Sequence, residues 1–183
     1  MTSDGAGDEA SAKSLSGERR GESRASRKSR SVSIRIIGLG NGMRGDDAVG
    51  LLVARRLRRE VEGLVDVIEA EMAGVDLVEL MKGANVVILI DAARSGQAPG
   101  TIHRLDASVG PIGRRIFPQS SHALGTVDAL ELARAMGVLP ATVIVYGVEV
   151  ENTEAGEPLS PAVVKVLEQL VDRIFQDCEA CCA

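Results

Sequence analysis

Ile34-Arg35-Ile36-Ile37-Gly38-Leu39-Gly40-Asn41-Gly42-Met43-Arg44-Gly45-Asp46-Asp47-Ala48-Val49-Gly50 is the stretch on which the fold turns. Its first five residues read as a strand and its glycine-rich middle as a turn. Beyond it the apolar period changes: Val49, Leu52, Val53, Leu57 and Val61 fall on one helical face, with Arg55, Arg56, Arg58 and Arg59 mostly opposite. Asp47 to Val61 is therefore expected as an amphipathic helix. A strand that passes through a turn into such a helix opens a β-α-β unit.

The alternation continues downstream. Val65 to Ala70 reads as a strand, Val75 to Lys82 as a helix, and Ala84 to Asp91 as a strand of nearly unbroken apolar character. Such a run suits a strand buried on both faces of a parallel sheet. Gly100 to Leu105 alternates and is expected at an edge. Thr126 is placed to cap a helix that ends at Gly137, Thr142 to Glu149 is a further strand, and Ser160-Pro161 starts a last helix, Ala162 to Phe175. The expected fold class is α/β: a three-layer α/β/α sandwich with a mostly parallel sheet of about five strands.

Composition supports one core. The chain has 183 residues, 45% hydrophobic but only 2% aromatic, so the core must be aliphatic. Net charge is −5, yet residues 1–32 carry seven Lys/Arg against five Asp/Glu. A weakly basic start on an acidic body does not suit nucleic-acid binding. Residues 1–32 are polar and poor in anything to bury, and are expected as a disordered tail; 33–176 then form one domain and 177–183 a cysteine-containing tail. No apolar run reaches the ~20 residues of a membrane span, and no signal peptide opens the chain, so a monomeric cytoplasmic protein without membrane partners is expected. Cys178, Cys181 and Cys182 are the three cysteines; all lie in the final six residues, which leaves no disulfide framework and no thiol nucleophile in the body.

Three positions carry the chemistry. Asp46 and Asp47 stand at the start of the first helix, where one carboxylate is enough to cap free N–H groups. Asp46 is expected as the structural member and Asp47 as the one turned toward a cleft. Asp91 leaves a buried strand, either bound to loop amides or as a functional group at the sheet edge. His122, in Ser120-Ser121-His122-Ala123-Leu124-Gly125, is a capping-region imidazole, a base or a ligand. If the strands are parallel neighbours, Asp47, Asp91 and His122 open at the carboxyl edge of one sheet and make a metal site. His103, the other histidine, is read as a solvated side chain on the edge strand.

Gly40-Asn41-Gly42-Met43-Arg44-Gly45 also fits G-x-G-x-x-G, the dinucleotide-binding pattern, with Glu69 near the place of a ribose-binding acid. A nucleotide-binding oxidoreductase is the reading that follows. Against it, the helix start that should face a pyrophosphate faces two carboxylates, and no bound nucleotide is expected. The Gly-x-Ser-x-Gly elbow of a serine hydrolase and the His-Glu-x-x-His helix of a zinc protease are both absent.

Taken together the motifs resemble one family, the endopeptidases that mature nickel-iron hydrogenases. Gly38-Leu39-Gly40-Asn41 with Gly45 to Gly50 resembles its N-terminal signature, and Ile90-Asp91-Ala92 its carboxylate block. Ser121 to Gly125 resembles its histidine block, and Gly147-Val148-Glu149 through Leu159-Ser160-Pro161 its C-terminal segment. Ala48 stands where many relatives carry Gly, and Asp47 where some carry Glu. The resemblance implies that Asp47, Asp91 and His122 are the catalytic and metal-contacting residues. It further implies an endopeptidase that removes the C-terminal extension of a hydrogenase large-subunit precursor after nickel insertion, the nickel being carried by the substrate as recognition point. Whether that metal also activates water, or a carboxylate does so as general base, the residues leave open; the checkpoint is preferred, because two carboxylates and one imidazole are a modest set for a permanent hydrolytic metal. A nickel-binding maturation chaperone without protease activity, using the same residues and the cysteine tail, is the alternative.

Overall fold

In the computed structural model, residues 32–61, 65–71, 73–113, 116–117 and 125–182 are described. They form five strands, β1 (Ile34–Gly40), β2 (Asp66–Glu71), β3 (Val86–Ala93), β4 (Ile102–Asp106) and β5 (Thr142–Glu149). Four helices accompany them: α1 (Val49–Glu60), α2 (Asp76–Met81), α3 (Thr126–Ala135) and α4 (Pro161–Cys182). The strand order is β2-β1-β3-β5-β4, with β1, β2, β3 and β5 parallel and β4 antiparallel at the edge. The α/β class and the mostly parallel five-stranded sheet follow the expectation, including the edge position of β4.

Each sheet face buries its own aliphatic layer. On one side Val49, Val53 and Leu57 of α1 and Val163, Leu170 and Ile174 of α4 meet Ile36, Ile88, Ile90 and Tyr146. On the other, Leu77 and Met81 of α2 and Val127, Leu130 and Ala133 of α3 cover Ile37, Val87, Leu89 and Val145. Side chains of alternate residues point to opposite faces, so β3 needs apolar residues at every position from Val86 to Ile90, all of them buried.

Two helices differ most from the expectation. α1 starts at Val49, preceded by a 3-10 turn over Gly45–Ala48, and neither carries a side-chain cap. The Asp46 carboxyl that was expected to cap is drawn elsewhere. α4 runs on past Phe175 to Cys182, and Cys178 is buried against the core. The apolar stripe Leu170, Val171, Ile174, Cys178 keeps helical spacing, so the segment read as a tail stays helical through Cys182. Residues 1–31, which held the expected N-terminal tail, lie outside the described residues.

Candidate active site

The chain leaves β1 toward β2 on one side and returns to place β3 on the other side of β1. At such a reversal the loops after the two strands diverge and a crevice opens at their carboxyl ends. Asp47 follows β1 and Asp91 lies in β3, so both flank that crevice. His122, the third group expected there, lies outside the described residues. Among the described residues no three metal-binding side chains cluster.

Close approach of backbones shapes the crevice wall. A Cβ on Gly50 would stand 2.3 Å from the carbonyl oxygens of both Ile90 and Leu39, so only glycine lets the first turn of α1 sit against β1 and β3. Gly40 has φ +142°, and a Cβ there would meet the Asp47 carbonyl at 1.9 Å. The Asp47 carbonyl in turn accepts the Asn41 N–H at 3.2 Å. Two glycines of the dinucleotide-like pattern, Gly40 and Gly45, are thus backed by the protein's own backbone, a Cβ on Gly45 standing 2.7 Å from the Asn152 carbonyl oxygen.

Asp46 is wholly buried and accepts three backbone N–H groups: Ser160 at 2.6 Å, Glu151 at 2.9 Å and Asn152 at 3.1 Å. Burial pushes its pKa up, but these donors outweigh burial and hold the carboxyl below its ordinary value. It is the structural member, as expected, yet it clamps the β5–α4 loop rather than the helix start. This bond explains why the segment after Glu149 and the turn after β1 belong together.

Asp91 behaves oppositely. Its pKa is pushed up to about 6, chiefly by burial, with the nearby Asp47 charge adding to the rise. The Thr126 hydroxyl donates to it at 2.5 Å and the Ala92 N–H at 2.8 Å, and both favour the ionised form without overcoming burial. The strand continues through Asp91 to Ala93 instead of ending there. Thr126, expected as a cap, is the first residue of α3, and its hydroxyl is given to Asp91. Nothing in the sequence marked that bond, because it joins residues 35 apart.

His103 is not a solvated side chain. Its Nε2 lies 3.2 Å from a carboxylate oxygen of buried Glu149, and the same oxygen accepts the Ser95 hydroxyl at 2.8 Å. The other Glu149 oxygen accepts the Gly96 N–H at 2.8 Å. Burial raises the Glu149 pKa, and the donors from Ser95, Gly96 and His103 bring it below the ordinary value. Ser95 Oγ, at 3.3 Å, and Glu149 meet the same His103 nitrogen, Nε2, so this group ties the β3–β4 loop to β5 and has no nucleophile–base–orienter order, which needs the two ring nitrogens on different partners.

These features define a parallel α/β protein with an ionisable carboxylate pair in the crevice where its strand order reverses. The family model described as "HycI: Hydrogenase maturation protease" matches residues 51–177. The match takes in Asp91 and His122 and starts just after Asp47. The chain is 28% identical over 149 residues to the hydrogenase 2 maturation protease of Escherichia coli K12, covering 79% of this chain and 89% of that protein. It is 28% identical over 146 residues to the hydrogenase expression/formation protein HupD of Thiocapsa roseopersicina, covering 78% of this chain and 66% of that one. Among solved structures, the hydrogenase maturating endopeptidase HybD from E. coli superposes with a TM-score of 0.70 at 25% identity, over 81% of this chain and 93% of that one. The chain belongs to the hydrogenase maturation protease family. It is accordingly a peptidase, and the oxidoreductase and non-proteolytic chaperone readings give way. Among the described residues no helix is long and apolar enough to cross a membrane.

Proposed function

We propose that this peptidase removes the C-terminal extension of a nickel-iron hydrogenase large-subunit precursor, with Asp47, Asp91 and His122 contacting the nickel that the precursor carries. The observation that carries this reading is the Asp91 carboxyl, pushed up to about 6 by burial and by the Asp47 charge. Burial first and the Asp47 charge second disfavour ionisation of Asp91, and a divalent cation held by the two carboxylates would offset that cost. Oxygen and imidazole donors suit a first-row divalent ion and leave coordination positions for ligands from a second protein. Nickel in this account belongs to the substrate and seats the precursor at the crevice. Either carboxylate can then take the proton of the attacking water as general base. The same reading has the chain working as a cytoplasmic monomer, without nucleotide, nucleic-acid or membrane partners.

The test is incubation of the purified protein with nickel-loaded and nickel-free precursor, followed by intact mass. Loss of a C-terminal peptide from the loaded form alone is expected, and Asp47→Ala, Asp91→Ala and His122→Ala should each fold and leave it untrimmed. Full trimming by all three variants would sink the assignment of those residues. Equal trimming of both precursors would sink the nickel checkpoint.

A further inference from the structure

Arg44 and Arg94 reach one residue from two strand ends. Arg44, in the turn after β1, donates Nε–H to the Thr153 carbonyl at 3.2 Å, and Arg94, directly after β3, donates to the Thr153 hydroxyl. Thr153 lies in the loop after β5, so the ends of three adjacent strands meet here. Among the described residues neither arginine forms an ion pair, and these two bonds go to neutral oxygens. By contrast Arg35, Arg55, Arg56, Arg58, Arg104 and Arg134 each pair with Asp or Glu. Arg59 and Arg173 also lack an ion pair, but they stand on exposed faces of α1 and α4, away from the crevice loops.

A guanidinium carries five N–H donors in a planar fork, so one bond each to Thr153 leaves both groups with donors to spare. Arg94 is exposed and Arg44 partly so. In a chain of net charge −5, two unneutralised cations beside an acidic crevice create a local site for an anion. Arg44 lies three residues before Asp47 and Arg94 three after Asp91, which bounds each separation at about 11 Å along the chain. An extended peptide covers that distance in roughly three residues.

We propose that Arg44 and Arg94, held by Thr153, form a carboxylate-binding clamp for the peptide substrate, within about three residues of the bond it cleaves. The carboxylate is an acidic side chain of the removed segment or that segment's own C-terminus; the chemistry recognised is the same. Thr153 holds the two forks together, and the pair selects the peptide's register while the crevice carboxylates handle the scissile end. The clamp rests on the precursor reading for its substrate, but its ligand chemistry can be tested without cleavage.

Short fluorescein-labelled peptides copying a large-subunit extension serve as probes in four forms: native, amidated at the C-terminus, with Asp and Glu changed to Asn and Gln, and with both changes. Affinity for the doubly neutral form should fall roughly ten- to hundredfold below native. Whichever single change causes the fall identifies the carboxylate. Arg44→Gln and Arg94→Gln should each shrink this discrimination, and Arg94→Lys should restore part of it. Because the native-to-neutral ratio is taken within each variant, a merely structural role of the arginines would leave it unchanged. Equal affinity for all four forms, no detectable binding of any, or wild-type discrimination in both Gln variants overturns the clamp. Carboxylate-dependent binding in a protein that trims no precursor would instead count against the precursor reading and leave the clamp standing.

Discussion

Asp46 is chemically the twin of its neighbour Asp47, and its own surroundings give it a structural task. The Asp46 carboxyl accepts three backbone N–H groups from the β5–α4 loop, and they hold its pKa low. Asp46→Ala strands one buried and two part-buried donors, and a loss of about 2 to 4 kcal/mol in unfolding free energy is expected by urea denaturation at pH 7. The low folded pKa makes this contribution fully present above the ordinary carboxylate value and lost as pH falls through the folded one. Thr126 supplies a subtler check. Its hydroxyl favours ionised Asp91, so Thr126→Val should raise the Asp91 pKa further and move the acid limb of the pH–rate profile to higher pH. An unmoved limb would mean that Asp91 is not the group titrating there. That Asp46 would be structural was legible from its place beside a helix start; the cap expected of it is not made, and its partners, across more than a hundred residues, were not legible.

At the scale of elements, the glycine run shows what a pattern can and cannot say. It correctly marked a strand–turn–helix with close packing, but the same letters fit a nucleotide loop, and the close backbone approaches at Gly40, Gly45 and Gly50 show what those glycines are for. Gly50→Ala puts a methyl group against two backbone carbonyls that cannot rotate away. It should cost about 2 to 3 kcal/mol by thermal denaturation and lower trimming, because the turn bearing Asp47 would shift with α1. α4 makes the converse case. Its end was read short because the cysteines looked like a tail, although Cys178 continues the buried stripe by four residues from Ile174. Asp177 in this last stretch accepts the Tyr146 hydroxyl at 2.6 Å and pairs with Arg104 at 2.8 Å, fastening α4 to β5 and β4. Truncation after Gln176 should therefore cost about 2 to 4 kcal/mol in chemical denaturation, where loss of a free tail would cost nothing.

For the whole molecule, the strand runs could be read locally, but the order β2-β1-β3-β5-β4 is a property of how the runs assemble. That order makes the crevice and sets Asp47 beside Asp91, whereas position in the sequence left Asp91 divided between a loop anchor and a functional group. The molecule's pH response follows from which carboxylates won their contest with burial. Asp46, Glu149 and Asp177 have lowered pKa values, so their stabilisation is present at neutral pH and disappears in acid. Asp91, raised to about 6, has the other sign: between its ordinary value of 3.8 and about 6 the folded state binds more protons than the unfolded. Stability from this group is full below 3.8 and falls as pH rises toward 6, by at most about 3 kcal/mol, solvent reaching the partly exposed residue and reducing the figure. The two tendencies together predict a stability maximum near pH 4 to 5 and a decline toward neutrality. Asp91→Asn should remove the decline, leaving a protein more stable than wild type at pH 7 and indistinguishable from it below pH 4. Urea unfolding of both proteins across pH 3 to 8 measures the difference. Parallel curves over that range would show that Asp91 is ionised at its ordinary pKa and that the crevice imposes no charge penalty for a cation to relieve.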